Sequence, residues 1–173
     1  MSNSRVFIRP PTTEDGNAFL AAARESRALH DTWIHPPLTR RNFDLYLERF
    51  QQSDHQSRLI CLHDTGALVG GINLNNIIRG YFQNSFLGFY AFLPHAGCGL
   101  MFEGLQLVVH EAFSSLDLHR LEADIQSENR RSIQLVQRTG FSREGFSPNF
   151  LRIEGVWRDH ERWALLRDDP PTG

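Results

Sequence analysis

Lysine is absent. All eighteen basic residues of the 173-residue chain are arginine, which excludes a phosphate loop of the Gly-Lys-Ser/Thr type and any chemistry that needs a lysine nucleophile or Schiff base. Cysteine is nearly absent: Cys61 and Cys98 stand too far apart for a Cys-x-x-Cys metal or redox motif, and two residues build no disulfide framework. No metal site is therefore expected. No stretch approaches the eighteen apolar residues that span a bilayer, and the opening segment lacks the apolar core of a secretion signal. An excess of positive charge is missing too. Twenty acids against eighteen bases give a net charge of -2, too little for a dedicated nucleic-acid binder, although a local arginine patch stays open. These absences predict a cytoplasmic protein that engages neither membrane nor nucleic acid.

What is present is 40% hydrophobic residues in a length that suits one domain with a sizeable core. Val6-Phe7-Ile8, closed by Pro10-Pro11, predicts a short strand. Ala18, Phe19, Ala22 and Ala23 recur at helical spacing and predict a helix from Glu14 to about Leu29. After a loop holding Trp33, Pro36 and Pro37, Thr39 caps a second helix through Phe50. Strands are expected at Arg58 to His63, Ala67 to Ile78, Ser85 to Phe92 and His119 to Ile125, then a long hairpin of Phe141 to Ile153 and Val156 to Leu166. Helices are expected from Leu100 through Phe113, and from Asn129 to about Arg138 with Gly140 as its left-handed end. The whole reads as one α/β domain over 1–167, with 168–173 as a flexible tail.

The most informative stretch is the strand ending at Phe92, followed by Pro94-His95-Ala96-Gly97-Cys98-Gly99 and then a helix. A strand that feeds a helix through closely spaced glycines presents backbone N–H groups at the positive end of the helix dipole, an anion site suited to pyrophosphate. Gly97-x-Gly99 lacks the third glycine of a dinucleotide fingerprint. By itself it is equally a tight turn.

The segment Gly97-Cys98-Gly99-Leu100-Met101-Phe102-Glu103-Gly104-Leu105 resembles the acetyl-CoA loop of the GNAT acetyltransferase superfamily, in particular its RimJ/RimL group of ribosomal-protein-alanine N-acetyltransferases. Further matches follow in family order across about 67–166: Asn75 to Gly80, His119 to Ala123, Asn129 to Ser132, Thr139 to Gly145, and Gly155 to His160. The resemblance implies a mixed, strongly curved sheet flanked by helices, whose two central parallel strands splay apart to admit acetyl-CoA. It implies that the backbone of Tyr90, Ala91 and Phe92 pairs with the pantetheine arm, that N–H groups from Gly97 through Cys98, Gly99 and Leu100 to Met101 hold the pyrophosphate, that Asn129 reaches the pantetheine, and that Ser132 lies near the acetyl sulfur. Where the family loop usually begins with arginine or glutamine, this chain has Ala96, leaving backbone donors to dominate.

Acetyl transfer needs a free amine, a polarised thioester carbonyl and a proton for the departing thiolate. The backbone N–H of Phe92 is the family-like donor to the carbonyl. Ser132 is a candidate acid, and Glu103, one turn into the loop helix, a candidate base that the helix dipole favours in any case. Asn73 and Asn75 share one strand face and either order a water or satisfy the sheet. His160 and Asp159 read as structure or substrate contact, Cys98 as loop packing, and Arg130 and Arg131 as solvated or phosphate-facing. Trp33, Asn75, Arg79, Tyr81 and Arg158 are candidates to meet the acceptor. The implied activity is direct N-acetylation of a primary amine, foremost the N-terminal α-amine of a protein such as a ribosomal protein, by a monomer or homodimer. A small-molecule amine as acceptor, or a CoA-binding domain without turnover that acts as a sensor or in ribosome assembly, also fits these residues.

Overall fold

The computed structural model describes residues 4–168. Of the flexible tail expected at 168–173, all but Asp168 lies outside the described residues. Twelve elements follow one another: β1 (Val6–Arg9), α1 (Gly16–Glu25), α2 (Arg27–His30), α3 (Arg40–Arg49), β2 (Gln56–Leu62), β3 (Leu68–Ile78), β4 (Asn84–Ala91), α4 (Leu100–Ser114), β5 (Arg120–Gln126), α5 (Arg130–Thr139), β6 (Ser142–Ile153) and β7 (Val156–Leu166). A 3-10 turn, Thr13–Asp15, leads into α1. The strands form one sheet in the order β1-β2-β3-β4-β5-β7-β6.

Every neighbouring pair is antiparallel except β4 and β5, which run parallel and pair only from Asn84–Arg120 to Phe86–Glu122. Beyond Phe86 and Glu122 the two strands part, leaving a fork in the middle of the sheet. Strand alternation places a different core on each face. Leu121, Ala123 and Ile125 of β5 join Leu105 and Val108 of α4 and Ile133 and Val136 of α5. Helix α4 lies close on β2, because a side chain at Gly104 would collide with Ile60. The opposite face carries α1 and α3 over Tyr90 and Phe92, with Phe19 at the centre, 5.0 Å from Phe43 and 5.3 Å from Phe92 by ring centroids.

The continuous helix expected from Glu14 to Leu29 is divided at Ser26. The Ser26 Oγ donates to the Ala22 carbonyl at 2.7 Å and accepts the Leu93 N–H at 2.9 Å. A hydroxyl that bonds back onto its own helix competes with the helix ladder, and here the same oxygen ties the break to the exit of β4. Thr39 caps α3 as expected, accepting the Asn42 N–H at 3.2 Å. Gly140 ends α5 at φ 104°.

Candidate active site

The fork leaves one edge of β4 without a strand partner. Amides along a strand point alternately to its two edges. The Phe92 N–H donates to the Val69 carbonyl of β3 at 2.7 Å, so its neighbour Ala91 turns its N–H and C=O toward the fork. The donor expected at Phe92 is therefore engaged inside the sheet, and the N–H that faces the fork is that of Ala91. The Ala91 carbonyl accepts Nε2–H of His30 at 2.7 Å. A carbonyl only accepts, so the proton sits on Nε2. Burial pushes the His30 pKa below 6.5, against the opposing effect of that hydrogen bond, which keeps the ring neutral.

Below the fork, Gly97 and Gly99 adopt φ 78° and 79°, a left-handed backbone that glycine enters without strain. Nothing lies within 4 Å of where a Gly97 side chain would project. No side chain caps α4, and its first internal bond is Glu103 N–H to Gly99 C=O at 3.3 Å. The amides before it point off the helix end, where its dipole is positive. On the facing helix, the Asn129 Oδ1 caps α5 by accepting the Ser132 N–H at 3.2 Å. Arg138 of α5 lies 4.0 Å above the Phe102 ring of α4 and closes that wall.

These parts open into one cavity of about 960 Å³. Tyr90, Ala91, Gly97, Gly99, Met101, Asn129 and Ser132 all line it, as does Trp33. Tyr90 is held from behind: its hydroxyl meets Tyr46 Oη at 3.1 Å, which also contacts Ser57 Oγ and Asn73 Oδ1. Burial raises both tyrosine pKa values, so the phenols stay protonated. Asn73 thereby satisfies the sheet.

Other candidates lie elsewhere. The Glu103 carboxylate accepts the Arg5 backbone N–H at 2.8 Å and Arg5 Nε at 2.7 Å, and that pairing lowers its pKa. A carboxylate so held is a weak base, and Glu103 lies outside the cavity lining, so it secures the first strand to α4. Leu100 is buried in the core beneath the loop, while Cys98 is exposed with its carbonyl accepting Arg5 Nη2 at 3.1 Å. Asn75 Oδ1 accepts from Arg49 at 3.2 Å and its Nδ2 donates to the Phe86 carbonyl at 3.3 Å, which commits it to the sheet. Arg79 donates to the Leu116 carbonyl behind α4, and Tyr81 stands fully exposed in the β3–β4 turn. Arg158 lies beyond the cavity lining, its buried Nε without a hydrogen-bond partner. Asp159 accepts the Asn149 N–H at 2.8 Å in the β6–β7 hairpin.

Among the lining groups that the sequence did not single out as catalysts are His30, Asp124 and Gln126. His160, read there as structure or contact, lines the cavity with its Nδ1 2.9 Å from the Arg158 carbonyl. Gln126 pins the Trp33 loop by donating to the Thr32 carbonyl at 2.9 Å. Asp124 was legible in principle, because alternation around buried Leu121 and Ala123 must turn it to the opposite face. Arg130 and Arg131 also line the cavity. Among the described residues no group of three His, Cys, Asp or Glu is arranged to hold a metal, and no helix is long and apolar enough to cross a membrane.

Residues 5–142 match the family model described as an acetyltransferase (GNAT) domain. A Bacillus subtilis protein named "Probable N-acetyltransferase YjcK" is 30% identical over 98% of both chains. The [ribosomal protein uS5]-alanine N-acetyltransferase of Escherichia coli is 36% identical over 110 residues, which are 64% of this chain and 57% of that enzyme. Among solved structures, Mycobacterium smegmatis RimJ in complex with CoA-disulfide superposes with a TM-score of 0.87 at 21% identity, covering 96% of this chain and 84% of that one, a likeness of fold.

Proposed function

The chain belongs to the GNAT acetyltransferase family, and from that membership we propose that it moves the acetyl group of acetyl-CoA directly onto the N-terminal α-amine of a protein. The observation that carries this reading is the convergence, in one cavity, of the glycine loop, the uncapped N-terminus of α4, the fork-facing edge of β4 and the first turn of α5. The residues fit the cosubstrate. Backbone amides from Gly97 to Phe102 suit its pyrophosphate without any lysine, and Arg130, Arg131 and Arg138 supply positive charge along the same wall. The open edge at Phe89 and Ala91 suits an amide-rich arm added like a strand. Asn129, whose oxygen caps α5, keeps its amide N–H groups for that arm.

In this arrangement the Ala91 N–H is the donor to the thioester oxygen as charge develops there, a contribution that grows in the transition state. His30 holds the same residue through its carbonyl, in the adjoining peptide unit. Ser132 Oγ, which makes no hydrogen bond among the described residues, is the hydroxyl available to the departing thiolate. Trp33 and the loop pinned by Gln126 wall the acceptor side.

The choice of a protein α-amine is supported by the 36% identity to an enzyme named for alanine on ribosomal protein uS5. Thiol release from acetyl-CoA tests it, with alanine- and serine-starting peptides set against a panel of polyamines, amino acids and amine antibiotics. Preference for the peptides in kcat/KM is expected. Preference for a small amine would replace the acceptor, and tight acetyl-CoA binding with no thiol release from any amine would leave a binding domain without turnover.

A further inference from the structure

We propose that Asp124 receives the acceptor: its carboxylate binds the incoming ammonium and takes the proton that the nitrogen loses before attack. This rests on the acetyl-transfer reading above and names the charge state in which the acceptor enters.

The argument begins with the fork. Pairing between β4 and β5 ends at Phe86–Glu122, so Asp124 is the first β5 side chain on the acceptor-facing surface after the strands part. Leu121, Ala123 and Ile125 face the α4 core, and the two-residue period fixes Asp124 on the other side. It lines the cavity. Its neighbours across the ladder are Arg162 directly opposite and, diagonally, His160, whose own partner is Gln126.

Other partly buried carboxylates are occupied. Glu122 accepts from Asn84 and Arg120, Glu111 is held by Arg58, Glu161 by Trp163 and Arg143, and Asp15 by Arg9. Asp124 alone in this comparison has no hydrogen bond or ion pair among the described residues. A half-buried carboxylate that the protein leaves unpaired is suited to a cationic guest.

The charges around it are mixed. Glu122 on its own strand and His160 and Arg162 on β7 act on it, His30 and Asp31 at the α2 end and Glu128 and Arg130 at the start of α5 share the cavity lining with it, and β4 brings no charge between Leu87 and Ala91. Burial, helped by Glu122, raises the Asp124 pKa, with His160 and Arg162 opposing. A carboxylate raised in this way is a better match to proton transfer near neutral pH. His160 is the rival base, since an Nδ1 that donates to the Arg158 carbonyl leaves Nε2 as the acceptor.

The protons balance. The ammonium gives one proton to Asp124, and the freed lone pair forms the C–N bond at the thioester carbon. The C–S bond breaks with its electron pair on sulfur. The second nitrogen proton reaches that sulfur, for which Ser132 Oγ is the available relay, and Asp124 returns its own proton to water.

The test compares Asp124→Asn, Asp124→Glu and His160→Gln with the unaltered chain, measuring kcat/KM against pH with an alanine-starting peptide and acetyl-CoA affinity by calorimetry. Asp124→Asn is expected to lose at least about 100-fold in kcat/KM, with the acidic limb gone from its profile. Its acetyl-CoA affinity should stay within about twofold, which also reports an intact fold, and Asp124→Glu should recover part of the rate. Retention of kcat/KM within about threefold, or loss of acetyl-CoA affinity in step with activity, would overturn the assignment. So would transfer of the whole defect to His160→Gln. Absence of thiol release by the unaltered chain with every amine would instead remove the acetyl-transfer reading itself, and this assignment with it.

Discussion

His30 donates from Nε2 to the Ala91 carbonyl at 2.7 Å, so the last residue of β4 is held through its carbonyl by a helix while its own N–H faces the fork. This bond ties α2 to the fork-facing end of β4. It also makes the site sensitive to acid. The folded ring titrates below the ordinary 6.5, so at pH values between the two the unfolded chain binds the extra proton and stability falls as pH falls. Above 6.5 both states are neutral and the effect vanishes. His30→Gln, which keeps a donor without a titrating ring, should flatten the loss of stability below 6.5, measured as urea midpoints against pH. An unchanged slope would remove His30 from the account.

Gly97→Glu should separate binding from folding. Nothing would touch a new side chain there, so the cost to the fold is the left-handed backbone alone, about 1–2 kcal/mol. The added carboxylate would sit where polyphosphate is expected to bind. Acetyl-CoA affinity should fall at least about tenfold, corresponding to roughly 1.4 kcal/mol, with only a modest change in Tm.

Ser132→Ala should affect turnover and leave binding nearly intact. The Ser132 backbone N–H, not its hydroxyl, engages the Asn129 cap, so α5 keeps its start in the variant. A fall in kcat of about tenfold is expected from loss of one hydroxyl acting on the thiolate. Equal kcat in the two forms would hand the proton to solvent.

Glu103→Gln should be nearly silent in kcat/KM. The carboxylate belongs to Arg5, and an ion pair this open to solvent contributes at most about 1 kcal/mol. A small drop in Tm without a change in rate is expected.

Much of the fold could be read from the chain because its signals are local. The Thr39 cap, the Gly140 end of α5 and the hairpin turning at Glu154-Gly155 each depend on residues a few positions apart. The glycine loop was legible for the same reason. What stayed hidden was settled by distant partners. Ser26 interrupts its helix because Leu93, sixty-seven positions later, needs an acceptor. Glu103 is held by Arg5, ninety-eight positions away, a pairing that no local pattern announces. Phe92 and Ala91 differ only in which edge their amides face, and the pairing with Val69 decides that. Arg79 and Tyr81 fall at the β3–β4 turn, away from the fork. Strand alternation alone turns Asp124 away from the α4 core, but where the two central strands part, and so what it faces, depends on the pairing of β4 with β5.

The core offers a stability prediction independent of function. Phe19 is fully buried against Phe43, Tyr90 and Phe92. Phe19→Ala should cost about 3–5 kcal/mol, read from chemical denaturation, because the cavity left behind adds to the lost burial.

The most direct measurement of the central claim is to supply acetyl-CoA carrying an isotope-labelled acetyl group, together with a peptide that has both an N-terminal alanine and an internal lysine, and to locate the label by tandem mass spectrometry. The account predicts label on the α-amine, dependent on the purified chain and strongly reduced in Gly97→Glu. Label on the lysine side chain, or none on the peptide while a small amine in the same mixture is labelled, would contradict it.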